Sequence, residues 1–155
     1  MRDRAQRGFT LAELITVIAI VAILTAIAIP VSRFAYRREK ETELRQRMAK
    51  LIWAIDRYGE LRSKNLIKLP PEINQGLFPK KLEDLTKPIE LVDGKKVKLL
   101  NERDLIDPMT GQSDWRFTSS TDDPDDPGTN SDNVWDVHSS SRALAVDGKT
   151  HYNEW

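Results

Sequence analysis

The sequence contains no cysteine. Small exported domains often rely on disulfides, and this one has none to form. Its fold must be held by its core, by attachment to neighbours or by a bound metal. Charge of one sign is also missing: 24 basic residues balance 24 acidic ones, and no basic stripe marks the C-terminal half, so a nucleic-acid partner is not expected. Histidine is scarce, with only His138 and His151. They lie near Ser139, Ser140, Ser141 and Asp147, a set that invites a catalytic triad. Yet no nucleophile-elbow glycine pattern frames those serines, and no HExxH, P-loop or paired-cysteine motif occurs. No enzymatic activity is expected.

A long apolar run occurs once, from Phe9 to Val31, broken only by Thr10, Glu13, Thr16, Thr25 and Pro30. Since the mean hydropathy is still −0.51, the remainder must be strongly polar. As a helix the run spans roughly 33 Å, close to the ~30 Å of a bilayer's hydrocarbon core. Arg2, Arg4 and Arg7 precede it against a single acid, Asp3, which argues for a cytoplasmic N-terminus.

Helix continues beyond Pro30, which is read as a kink rather than a stop. Leu44, Met48, Leu51, Ile52 and Ile55 form a stripe of helical period. Glu41–Arg45 and Glu43–Arg47 are i, i+4 pairs in the favourable order. Gly59 or the polar run Ser63–Asn65 ends the element. Arg37, Arg38 and Lys40 read as stop-transfer and headgroup contacts, or as salt-bridge partners in an assembly.

After Leu69 the segments are short. A short helix is expected near Lys81–Leu85, and two β-prone runs flank the Asp93-Gly94 turn signal. Strands are expected at Trp115–Thr118, at Val134–His138 and at Arg142–Val146, followed by a turn at Asp147-Gly148. Trp53, Trp115, Trp135 and Trp155 read as core and sheet anchors. The acidic stretch with Asp122, Asp123, Asp125 and Asp126 lacks the spaced oxygens and glycine of an EF-hand and reads as a solvated loop. The expected fold is α+β: a long helix, first hydrophobic and then amphipathic, packed on a small antiparallel sheet.

Three readings compete for the N-terminus. A secretory signal peptide is one, with Ala26-Ile27-Ala28 matching a small-x-small cleavage site. An uncleaved anchor is the second. The third starts from "GFTLAELITVIAIVAILTAIAIP", which resembles the class III signal of prepilin-like proteins, the type IV pilins and the pseudopilins of type II secretion. That resemblance implies cleavage after Gly8 by a prepilin peptidase, N-methylation of Phe9, and retention of the apolar helix. It makes Glu13 the family's assembly charge and Pro30 its helix-kinking proline. A lone carboxylate in lipid costs a few kcal/mol, so a partner is expected for it. Cleavage would create one, the ammonium of a neighbouring subunit's Phe9. Ala12, Ala19, Ala22, Ala26 and Ala28 permit close helix approach.

In the tail, "FPKKLEDLTKP", "IDPMTGQSDWRF" and the closing "VWDVHSSS…DGKTHYNEW" resemble the major pseudopilin of type II secretion. The sequence departs from that pattern at Met109, Thr110 and Gly111, where the family has an aromatic residue and a glycine. Its closing loop is also less acidic than the family's calcium loop, leaving Asp136, Ser139 and Asp147 as candidate calcium ligands. The implied organisation is a leader (1–8), a membrane and fibre-core helix (9–31), an amphipathic continuation (32–65) and a periplasmic head (66–155). The implied role is a subunit of a homopolymeric pseudopilus that drives export of folded proteins. Its partners would be minor pseudopilins, the prepilin peptidase, an inner-membrane platform with its ATPase, and membrane lipid before assembly. Localisation would be the bacterial inner membrane, single-pass, with the head in the periplasm. A type IV pilin for adhesion, motility or DNA uptake remains an alternative, as does a membrane-anchored periplasmic binding module without a filament.

Overall fold

Two different helical patterns, one apolar all round and one striped, follow each other in the sequence and form a single helix, α1, Leu11–Ser63. The computed structural model describes residues 9–68, 76–123 and 132–155. Pro30 lies inside α1 without ending it; it has no N–H, so the Ala26 carbonyl gives up a helical partner there. The chain divides into two compact units, with the boundary between Arg38 and Glu39.

In the first unit, α1 exposes its large apolar side chains throughout, from Leu11 to Val31. The Thr16 and Thr25 hydroxyls donate to the carbonyls of Ala12 and Val21, both at 2.8 Å, so neither is left unsatisfied on an apolar helix.

In the second unit, α1 buries Leu44, Leu51, Ala54, Ile55, Tyr58 and Leu61. The stripe therefore runs two turns further than Ile55, with Met48 and Ile52 half-buried on its flank. Gly59 does not stop the helix; it sits inside, facing the ring of Phe78. The stop comes at Asn65, in left-handed conformation (φ 53°). There the Leu66 N–H donates to the Leu61 carbonyl and the Asn65 N–H to the Arg62 carbonyl, both at 2.9 Å. This is a Schellman cap, with asparagine where glycine is commoner.

The rest of the second unit is α+β built from very short pieces. A 3-10 turn, Leu82–Thr86, buries Leu82 and Leu85. Strands β1 (Ile89–Glu90) and β2 (Lys96–Val97) pair antiparallel around Asp93 and Gly94, the latter at φ 81°. Strands β3 (Arg116–Thr118) and β4 (Asp136–His138) pair antiparallel with Phe117 opposite Val137. One sheet was expected; two separate two-stranded sheets are found. The chain between them is taken up by the 3-10 turn Glu102–Leu105 and the Asp107-Pro108 turn, which leave no extended backbone to join β2 to β3. The expected strand at Arg142–Val146 is also absent, reduced to a single bridge between Leu144 and His151. Ladder bonds do frame that bridge, from the Ala145 N–H to the Thr150 carbonyl at 2.9 Å and from the Tyr152 N–H to the Ala143 carbonyl at 3.2 Å. The partner segment, however, turns into the 3-10 helix Tyr152–Glu154 straight after His151, so the pairing goes no further. Asp147 closes the turn between the two segments: its carboxylate accepts from the N–H groups of Lys149 and Thr150 and from the Thr150 hydroxyl, at 2.8–3.1 Å.

Polar fasteners tie these pieces to the helix and to each other. Glu43 pairs with Arg47 as expected, at 3.5 Å. Glu41 does not pair with Arg45. It accepts instead from the Val146 N–H (2.6 Å) and the Tyr152 hydroxyl (3.1 Å), while Arg45 stacks on the Trp155 ring at 4.3 Å. Buried Asp104 receives Lys50 at 2.7 Å and Arg47 at 3.6 Å. Fully buried Asp107 accepts from the equally buried Ser139 hydroxyl at 2.6 Å, pinning the Asp-Pro turn to the end of β4. Trp115 is the one fully internal tryptophan, its Nε1 donating to the Leu105 carbonyl at 2.7 Å. Trp155 is half-buried, whereas Trp53 and Trp135 are 55% and 52% exposed and anchor no core.

Two outcomes follow from this packing. Leu51→Ala, made in the full chain in detergent, should lower stability by about 2–5 kcal/mol in urea unfolding read by tryptophan fluorescence. An unmoved midpoint would mean that the stripe is not the core. Acid should also weaken the second unit. Burial pushes the Asp104 carboxyl up, but the Lys50 hydrogen bond, the Asn101 N–H and the charges of Lys50 and Arg47 together outweigh burial and hold it below the usual aspartate range. A carboxyl depressed in the folded state stabilises above its unfolded value, near 3.9, and that stability is lost as pH falls through the folded value. Thermal melting should therefore decline below about pH 4, and Asp104→Asn should flatten that decline. An unchanged acid limb in the variant would show that Asp104 does not contribute to it.

Candidate functional site

The N-terminal end of α1 gathers the residues on which the sequence reading turned. Phe9 is 87% exposed, just ahead of the helix. Gly8 and the preceding segment lie outside the described residues, as do Asp125 and Asp126. Glu13 stands in the first turn of α1, where the helix dipole favours negative charge.

Its carboxylate has a partner within the chain. Glu13 Oε2 accepts from the Thr10 N–H and from the Thr10 hydroxyl, both at 2.9 Å. The Thr10 hydroxyl in turn accepts from the Glu13 N–H at 3.3 Å. Two N–H groups that the helix leaves unpaired are thereby satisfied reciprocally, as in a capping box. Besides the assembly charge that the resemblance implies, Glu13 therefore caps its own helix, a role that was not expected. The signal was legible: Thr10-x-x-Glu13 ahead of an apolar run is the sequence form of that box. Both bonds to Thr10 fall on Oε2, and among the described residues Oε1 has no partner. The arrangement starts the helix and still presents one charged oxygen outward.

From this cap a surface that is apolar apart from Thr16 and Thr25 extends along α1 as far as Val31, and α1 is the one helix among the described residues long and apolar enough to cross a membrane. Ala12, Ala19 and Ala26 recur every seven residues and Ala22 falls between them, giving one face of small side chains.

The other candidate residues are spread over the second unit and engaged locally. Asp136 Oδ1 accepts from the Val137 N–H at 2.8 Å. Ser139 is buried against Asp107 and also accepts from the Ser141 N–H. Asp147 closes its own loop, and the N–H groups of Lys149 and Thr150, with the Thr150 hydroxyl, hold its carboxyl below the usual range. Among the described residues, no group of three or more histidine, aspartate or glutamate side chains converges to hold a metal ion. His138 Nδ1 lies 2.6 Å from the Trp155 carbonyl oxygen, and His151 Nδ1 lies 3.5 Å from Glu154. Neither faces Ser139, whose hydroxyl is given to Asp107.

Residues 3–29 match the family model of the prokaryotic N-terminal methylation motif. The chain has a prepilin-type N-terminus. Neither a curated protein nor a solved structure matches the chain. The methylation motif supports placing it with the prepilin-like proteins, implies processing by a prepilin peptidase and pilus-like polymerisation, and indicates a structural rather than a catalytic subunit. The apolar helix behind the motif fits a single-pass membrane anchor.

Removing the hydroxyl of the cap isolates its local contribution. Thr10→Val should cost about 0.5–2 kcal/mol of helix-start stability. The amide hydrogens of Glu13 and Leu14, which bond to Thr10, would then exchange roughly twofold to thirtyfold faster in micelles. Unchanged exchange would show that the box does not hold the first turn.

Proposed function

We propose that the chain is a structural subunit of a type II secretion pseudopilus, polymerising through its N-terminal helix to drive folded proteins across the outer membrane. The observation that carries the reading is the methylation motif at the head of an exposed apolar helical segment whose first-turn carboxylate, among the described residues, keeps one oxygen unpartnered. A helix apolar all round has to be buried in lipid or in copies of itself. Exchanging one for the other moves it between apolar surroundings and costs little hydrophobic free energy. A filament core is the second such environment.

Hydrolysis of the Gly8–Phe9 bond releases residues 1–8 and leaves an α-amine on Phe9. That amine, deprotonated, then takes a methyl group from an electrophilic methyl donor of the sulfonium class, which leaves as the thioether. The N-methylated amine is again a cation at neutral pH. In the filament, Glu13 Oε1 takes the ammonium of a neighbouring subunit, while Oε2 keeps its cap. Losing one partner of such a pair leaves a buried charge at a cost of about 3–5 kcal/mol, so the pair sets the register of assembly. Residues 9–31 supply the membrane and fibre-core segment, 32–65 its continuation and 66–155 the periplasmic head. Minor pseudopilins, the inner-membrane platform and its ATPase are the assembly partners.

The secretion role, rather than a type IV pilus, draws support from the tail. Pro79 of the Phe-Pro element is buried and its carbonyl accepts from the Val134 N–H at 2.8 Å. The Asp107-Pro108 turn is fastened to Ser139, and Trp155 packs edge-on against Tyr152 at 5.2 Å. These are the segments in which the sequence resembles the major pseudopilin.

Mass spectrometry of the chain from its native membrane, with the native peptidase present, should find an N-methylated Phe9 start. A start at Ile29 or an intact Met1 would overturn the reading. Glu13→Gln and Glu13→Ala then separate charge from cap, because glutamine keeps an acceptor for Thr10. Both variants should stay in the membrane, and both should fail to assemble in a cross-linking assay. Assembly by Glu13→Gln at the wild-type level would make Glu13 a cap and nothing more.

A further inference from the structure

The far end of the apolar segment carries chemistry that neither cleavage nor polymerisation uses. No acid lies between Glu13 and Glu39, and the first charges after the apolar run are Arg33, Arg37 and Arg38. Phe34 and Tyr36 lie among them, 49% and 60% exposed. Arg38, the last residue of its compact unit, holds its guanidinium 4.8 Å over the Phe34 ring. Arg33 and Arg37 are exposed and, one helical turn apart, lie on the same row of α1.

The spacing fits a bilayer at both ends. Twenty residues separate Glu13 from Arg33, which at 1.5 Å per residue is about 30 Å, the thickness of the hydrocarbon core. From Arg33 to Arg38 the helix rises about 7.5 Å, close to the depth of roughly 5–7 Å left to the headgroups of one leaflet. Around the axis the three arginines cover about 140°, with Tyr36 on the other side. Aromatic side chains with one apolar and one polar end favour this layer. Guanidinium binds phosphate oxygens through paired N–H donors.

We infer that Arg33, Arg37 and Arg38, with Phe34 and Tyr36, form a collar that binds the phosphates of anionic phospholipids in the leaflet where the apolar segment ends. The occupant follows from complementarity: cationic forks at headgroup depth join directly onto a surface that only acyl chains or other apolar helices cover. The inference rests on the membrane-spanning part of the proposed function and is independent of cleavage and of polymerisation. It gives the subunit a second attachment, at the opposite face of the bilayer from Glu13, which extraction into a filament would have to release.

The test uses the full chain reconstituted in phosphatidylcholine vesicles containing phosphatidylglycerol as the minor component. Gentle solubilisation and native mass spectrometry then read which lipids stay bound. Phosphatidylglycerol should be enriched over its bulk share, and the triple variant Arg33→Gln/Arg37→Gln/Arg38→Gln should lose that preference. The expected loss is about fivefold per arginine, of order a hundredfold for the three. Lys96→Gln/Lys98→Gln, which removes two exposed cations of the second unit, should leave the enrichment unchanged. Equal retention of both lipids by the wild type, or enrichment surviving in the triple variant, overturns the collar. If the triple variant keeps its phosphatidylglycerol but loses cross-links between subunits, the arginines serve acids of a neighbouring copy and the inference also falls. A chain that does not insert into these vesicles overturns the membrane-spanning reading itself.

Discussion

The stripe of Leu44, Leu51, Ala54, Ile55, Tyr58 and Leu61 on α1 is the surface on which the second unit depends. Among the described residues of that unit, no other element is long enough to organise a core. Its sheets are pairs of strands two or three residues long, and two-stranded ribbons are marginal in water without a partner surface. With no disulfide to restrict the unfolded chain, the burial of Leu82, Leu85, Leu100, Val134 and Val137 in one cluster with the stripe has to supply the stability. The order of the loops is then set by a few polar contacts made inside or beside that cluster. Asp104, Asp107 and Glu41 each join segments far apart in sequence. Each is a carboxylate with hydrogen-bond donors in place, which is the condition for tolerating a buried acid.

The N-terminal segment obeys the opposite rule. Its apolar side chains face outward and, among the described residues, find no core, which fits a membrane anchor. Charge is confined to its ends, and each end is specialised. At the start, Glu13 is turned onto Thr10 through one oxygen, which satisfies the first turn of the helix. At the far end, Arg33, Phe34, Tyr36, Arg37 and Arg38 bring the first charges and aromatic rings after the apolar run. A single helix thus carries a capped start, an apolar length fit for a membrane anchor and a charged end with no loop between them.

Much of this was legible from residue order. The continuous helix through Pro30, the amphipathic stripe, the hairpin at Asp93-Gly94, β3 and β4 all follow from periodicity and turn residues, which act over a few positions. So does the match of residues 3–29 to the methylation motif, because the features it reads are contiguous. The capping box was also present, in the Thr10-x-x-Glu13 spacing, and went unread because Glu13 was considered only as a charge. The Arg142–Val146 strand fell short for a local reason as well: its partner segment turns into the 3-10 helix Tyr152–Glu154 straight after His151, so the ladder stops at one bridge.

What the sequence by itself determined is where the chain is apolar, where it is striped and where it must turn, since these depend on side chains a few residues apart. Tertiary structure alone decided that Glu41 leaves Arg45 for Val146 and Tyr152, that Ser139 serves Asp107, and that Trp115 is internal while Trp53 and Trp135 are not. These contacts span from 32 to 111 positions. Local periodicity carries no information about which donor arrives from such a distance; only packing on the helix stripe brings those partners within reach.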